Sequence, residues 1–225
     1  MQRKSKQYFI ITGVLFFVFI IFTILSKTID VRPIGPQGSS VGFATINQFF
    51  FQRLGVSLLW YAVTSWLGFA AIAVIFGFGG FGLYQLLKGK SLRNVDERIL
   101  LLGGFYFIVL AMYAIFEILI VNYRPVILSQ ELEASYPSSH TMLVICIMVT
   151  AMMQFHHYLR EKRGWLVVCD TVSVLMIVFT VIGRLLSGVH WFSDIIGGII
   201  LALALIFLYC ATLKYSEEKQ GYIPI

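Results

Sequence analysis

Three short stretches hold most of the residues in this chain whose types and spacing could do chemistry: Arg124-Pro125, Pro137-Ser138-Ser139-His140, and Arg184 followed by His190 and Asp194. Two arginines, two histidines and an aspartate suit phosphoryl transfer. A transferred phosphoryl group spreads negative charge over three equatorial oxygens, so a protein mainly supplies positioning and cations. Arg124 and Arg184 would clamp those oxygens with planar, bidentate donors. Ser138 and Ser139 open an apolar segment, where the free amides and dipole of a helix N-terminus favour an anion and a serine hydroxyl could add a further donor. His190 would attack phosphorus in line. Asp194, four residues later and so on the same face of a helix that begins there, would hold the other ring nitrogen. His140 would protonate the departing oxygen, then activate the water that hydrolyses the phosphohistidine. The acidic residues and histidines show no ligand cluster beyond this set, so neither a metal nor another cofactor is expected.

The elements that must position these groups are membrane-length. Hydrophobic residues make up 59% of the 225-residue chain and charged residues 12%, with a mean hydropathy of +0.86; soluble domains average about 25% charged residues. Six apolar stretches of roughly 20 residues or more, each long enough to cross about 30 Å of hydrocarbon, run over about 8–25, 56–86, 99–122, 140–158, 164–183 and 192–213. This pattern predicts an all-α, six-transmembrane-helix bundle, a single membrane domain over 1–225 with no soluble module. The second stretch is overlong, and Gly77, Gly79, Gly80 and Gly82 mark where it should turn irregular.

Basic residues predict the orientation. Arg3, Lys4, Lys6, Lys88, Lys90, Arg93, Arg98, Arg160, Lys162, Arg163, Lys214 and Lys219 fall on one side; only Lys27, Arg32, Arg53, Arg124 and Arg184 fall on the other. By the positive-inside rule both termini are cytoplasmic and all three stretches face outward. The net charge of +6 is thus a topology signal spread over short loops, and no nucleic-acid partner is expected. The first apolar run lacks a small-x-small cleavage site and reads as an uncleaved span.

Other residues have simpler expected roles. Cys146, Cys169 and Cys210 lie within spans at no metal spacing and read as small apolar residues. His156 and His157 should be solvated or meet head groups beside Arg160, and Asp170 should pair or snorkel at the same side. Trp191 and Phe192 suit an interfacial aromatic belt or the lining of a lipid entrance. Phe43 to Phe51 reads either as a short interfacial helix with Phe43, Ile46, Phe49 and Phe50 toward lipid, or as a packed loop.

The order and spacing of the three stretches resemble the type 2 phosphatidic acid phosphatase family, the integral-membrane relatives of bacterial acid phosphatases and vanadium haloperoxidases. Its motifs end in Arg-Pro, read Pro-Ser-Gly-His, and read Ser-Arg, five residues, His, three residues, Asp. The motif resemblance covers about 117–194, and Arg184, His190 and Asp194 match that spacing in full. Ser139 replaces the glycine of the second motif. A lysine that the family places seven residues before Arg124 is here Glu117, roughly 10 Å back along a helix. An unpaired carboxylate there would be costly, so Arg124, Arg184 or a substrate head group is the expected partner, unless Glu117 is peripheral.

The resemblance implies an outward-facing lipid phosphate phosphatase in a bacterial plasma membrane. It would act through a phosphohistidine on a membrane lipid phosphate such as undecaprenyl diphosphate, phosphatidylglycerophosphate or phosphatidic acid, with a lean toward an isoprenoid diphosphate of the envelope. A lipid phosphotransferase using the same nucleophile is the first alternative. A silent lipid-binding or transport protein is the second, although transport favours polar groups near the midplane and the charged groups here gather at one face.

Overall fold

In a computed structural model, residues 3–221 are described, and among them the chain is helical with no extended strand. Six helices are long and apolar enough to span a membrane: α1 (Arg3–Thr28), then, after a short α2 (Ala44–Leu54), α3 (Leu58–Gly89), α4 (Glu97–Ile118), α5 (Ser139–Tyr158), α6 (Arg163–Ser187) and α7 (Phe192–Lys219). The shortest, α5, has 20 residues and is about 30 Å long.

Burial separates two central helices from the rest. Of the apolar stretches, 56% is buried in α5 and in α7, against 11% in α3 and 17% in α1 and α6. Leu102, Met142, Ile147, Leu201, Leu205 and Tyr209 are fully buried around this centre, whereas Phe17, Trp66, Phe76 and Phe107 are exposed on outer faces where lipid is the solvent. α1 lies along α7, while α6 packs mainly on α3 and α5.

The glycines Gly77, Gly79, Gly80 and Gly82 do not interrupt α3, which stays helical to Gly89. Gly82 marks a close approach of two helices, since a Cβ there would come within 2.8 Å of Ile99 on α4. The third span also ends earlier than expected, at Ile118. Residues 119–138 then form a loop: Tyr123 and Ala134 pair in an antiparallel bridge, with Arg124 N donating to Glu133 O and Ser135 N to Asn122 O. Pro125 favours extended backbone in the residue before it and so suits this turn away from the helix.

α2 docks on the start of α7. Buried Asn47 donates to Ser193 Oγ and accepts from Ser193 N, at 2.9 and 3.0 Å. Ile46 and Phe49 are exposed as an interfacial helix requires, but Phe43 stacks on Phe22 and Phe50 on Phe192. The segment is therefore half packed, half exposed.

At the other end of the bundle, the lysine- and arginine-rich loops meet a polar latch. Arg98 on α4 pairs with Glu217 on α7, and Tyr158 donates to Asp96 at 2.6 Å. His156 pairs with Asp170 at 2.8 Å, the pairing expected of that aspartate. Cys146 is buried, and Cys169 and Cys210 are half-buried.

Candidate active site

The ends of α4, α5, α6 and α7 opposite that latch bring the three chemical stretches together. Arg184 stands in the last turn of α6, which Gly188 closes in the left-handed conformation, φ +67°. A Cβ there would lie 2.4 Å from Gly55 O, so glycine alone lets the chain turn tightly from Arg184 toward His190. His140 is the second residue of α5, its ring set against Gly68 of α3, where a Cβ would come within 3.0 Å of Cδ2.

Four side chains present unused polar atoms inward. Arg184 Nε and Nη1, Arg124 Nη1, His140 Nδ1 and His190 Nε2 are all buried with no hydrogen-bond partner in the protein. Arg184 is 0% exposed. Its described contacts are a 3.4 Å hydrogen bond to Ser65 Oγ and the Tyr61 ring 5.3 Å away, with no carboxylate among them. Arg124 is paired, its Nε 3.1 Å from Glu133 Oε2.

His190 lies in the link between α6 and α7. Burial holds its imidazole well below the usual 6.5, and the charges of Arg124 and Arg184 and the nearby His140 press the same way. The ring is therefore neutral near pH 7. Nδ1 lies 3.1 Å from Ser135 O and 3.1 Å from Ser135 Oγ. A carbonyl oxygen only accepts, so Nδ1 carries the proton and Nε2 offers its lone pair inward.

Asp194 is close to His190 but does not touch it. Its carboxylate accepts from Ser135 Oγ at 2.5 Å, Trp191 N at 3.0 Å and Asn122 Nδ2 at 3.1 Å. The expected direct bond fails because α7 begins at Phe192: His190 precedes the helix, so four-residue spacing does not set it on Asp194's face. Asp194 instead caps α7 by accepting from Trp191 N.

Ser138 also departs from expectation. It is fully buried, its amide donates to Asp194 O at 2.9 Å and its hydroxyl bonds Thr141 Oγ1 at 3.0 Å. The amide seats α5 on α7 and is not free for an anion, while the hydroxyl bond stays within the start of α5. The first-turn amides of Ser139 and His140 lack intrahelical partners by position, and Ser139 lines a cleft with His190, Ser135 and Glu117.

Glu117 is placed differently as well. Because α4 ends at Ile118, it sits in the terminal turn, exposed, beside Tyr113. The carboxylate on Arg124 is that of Glu133. Trp191 is 2% exposed and donates from Nε1 to Tyr123 O at 2.8 Å; it fastens the 119–138 loop to α7 and does not belong to an exposed aromatic belt. Ser135, Asn122 and Glu133 are the site neighbours that sequence spacing missed. Among the described residues no group of three or more His, Cys, Asp or Glu side chains could hold a metal ion.

Two histidines and two arginines thus lie at one end of an all-helical bundle with six membrane-length helices. The sequence profile of the PAP2 superfamily matches residues 10–218, and the chain belongs to that superfamily. The fold is similar to the crystal structure of the first transmembrane PAP2 type phosphatidylglycerolphosphate phosphatase from Bacillus subtilis: TM-score 0.62, 17% identity, 91% of this chain and 96% of that one covered. Comparison with curated proteins gave no match.

Proposed function

We propose that the protein is a lipid phosphate phosphatase whose nucleophile is His190. The observation that carries this reading is Arg184: a fully buried guanidinium with no carboxylate partner among the described residues, beside a neutral histidine whose Nε2 is free. A buried cation without a counter-ion is costly, and a phosphoryl group between Arg184, Arg124 and the first turn of α5 offsets that cost. Membership of the PAP2 superfamily supports a phosphatase, and six membrane-length helices support a substrate held in the bilayer.

In this reading His190 Nε2 forms a bond to phosphorus as the bond to the leaving oxygen breaks, and His140 donates a proton to that oxygen. Water then attacks the phosphohistidine, giving its proton to His140; inorganic phosphate leaves and His190 returns to its neutral form. Arg124 and Arg184 hold the equatorial oxygens in both steps. Asp194 keeps the His190 region in place, and Ser139 contributes an amide.

The basic loops at the far end support placing the site on the outer face of the membrane. The substrate would be a phosphomonoester or diphosphate lipid, of the phosphatidic acid, phosphatidylglycerophosphate or isoprenoid diphosphate kind. Purified protein in detergent, given each lipid in turn, should release inorganic phosphate, and His190→Ala protein should release none. Label passed to another lipid instead of water would make it a phosphotransferase, and no turnover of any lipid would remove the reading.

A further inference from the structure

The Ser135 hydroxyl sits between two groups that do not otherwise meet. Its Oγ is 2.5 Å from Asp194 Oδ2 and 3.1 Å from His190 Nδ1, and all three residues are buried. A hydroxyl has one proton to give. The carboxylate oxygen, closer and charged, takes it, which leaves the hydroxyl lone pairs facing Nδ1–H. The donors then run in one direction, from Nδ1–H to Oγ and from Oγ–H to Oδ2. We propose that Ser135 is the positioning residue for the His190 nucleophile and the route by which Asp194 acts on it.

The backbone places Ser135 for this task. Its amide donates to Asn122 O at 2.9 Å, and Asn122 Nδ2 donates to Asp194 Oδ1, so the same loop fixes both ends of the hydroxyl's bridge. Ser135 O accepts from Nδ1 as well, and the ring is held by two oxygens of one residue. When Nε2 bonds to phosphorus the imidazole becomes cationic, and its positive charge is shared by Nδ1–H. A hydroxyl polarised by Asp194 stabilises that charge more than it stabilises the neutral ring, so the interaction favours the transition state. No proton moves along the bridge: Nδ1 keeps its hydrogen, and the leaving oxygen receives its proton from His140.

The inference rests on His190 being the nucleophile. Its test compares single-turnover phosphorylation of His190, measured with 32P-labelled lipid phosphate, in the wild-type protein, Ser135→Ala, Asp194→Asn and the double variant. Ser135→Ala should slow phosphorylation by about 10- to 100-fold, the loss of one hydrogen bond to a charged group, with KM nearly unchanged, because the carbonyl contact and the arginines remain. In the double variant the two losses should fail to multiply, since both cut the same bridge. If Ser135→Ala does not fold, Ser135→Cys, close in volume and a poor donor, should show the same loss. A wild-type phosphorylation rate in the folded Ser135 variant, or losses that multiply fully, would overturn the role of Ser135. Turnover by the wild-type protein without a phosphohistidine would instead overturn the reading beneath it.

Discussion

Arg124 is held by Glu133, across the bridge that folds residues 123–134 back on themselves, with Nε 3.1 Å from Oε2. The pair orders a guanidinium whose Nη1 stays free inside the site. It is also partly open, with Glu133 36% exposed in its side chain, and an ion pair of that kind contributes about 0–1 kcal/mol. Glu133→Gln should therefore change kcat/KM by no more than about fivefold. Arg124→Gln should lower it roughly 100- to 1000-fold, the range for removing one preorganised donor from a developing charge. Equal losses in the two variants, measured on one lipid phosphate, would mean that Arg124 works only through the pair.

With Glu133 on Arg124 and no carboxylate among the described contacts of Arg184, the substrate head group and a peripheral role are the expected alternatives left for Glu117, in the cleft that also reaches Ser135 and His190. A carboxylate there attracts hydroxyl or cationic head groups and repels a second phosphate. Glu117→Gln should consequently alter kcat/KM for some lipids and spare others, and Glu117→Lys should favour diphosphates over monophosphates. A uniform loss across the panel would return Glu117 to a role in orienting an arginine.

Arg184 ties activity against stability. A fully buried, unpaired guanidinium costs folding free energy, so Arg184→Met, similar in volume and uncharged, should cut turnover roughly 100- to 1000-fold without lowering the thermal midpoint in detergent. A midpoint reduced by many degrees would show that the charge is satisfied in the fold.

The depressed His190 imidazole fixes the sign of a pH effect. Arg124⁺ disfavours the imidazolium, so removing it raises the His190 pKa, and the neutral nucleophile is lost at a higher pH. The acid limb of kcat/KM should move to higher pH in Arg124→Gln than in the wild-type protein, both on the same lipid, whose own ionisation then cancels. A limb that stays put or moves down would separate Arg124 from His190.

Apolar length made six spans legible, and motif order located Arg124, His140, Arg184, His190 and Asp194 at one end. Spacing misled where it assumed a helix: His190 and Asp194 are four apart, but α7 starts between them. It misled at Glu117 for the related reason that α4 stops at Ile118. Ser135, Asn122 and Glu133 were illegible because an antiparallel bridge within a loop brings them to the site, and polar residues in a loop carry no period. Ser138 was legible as part of the site, but its burial under Asp194 O depends on how α5 seats against α7.

The central claim is that His190 Nε2 becomes phosphorylated. Wild-type protein mixed rapidly with 32P-labelled lipid phosphate and quenched in alkali within the first turnover should trap the label. The expected result is an acid-labile, alkali-stable phosphate on the peptide carrying His190, absent when His190 is replaced by alanine. Steady release of phosphate by the wild-type protein with no label on His190, or with label on another residue, would contradict it.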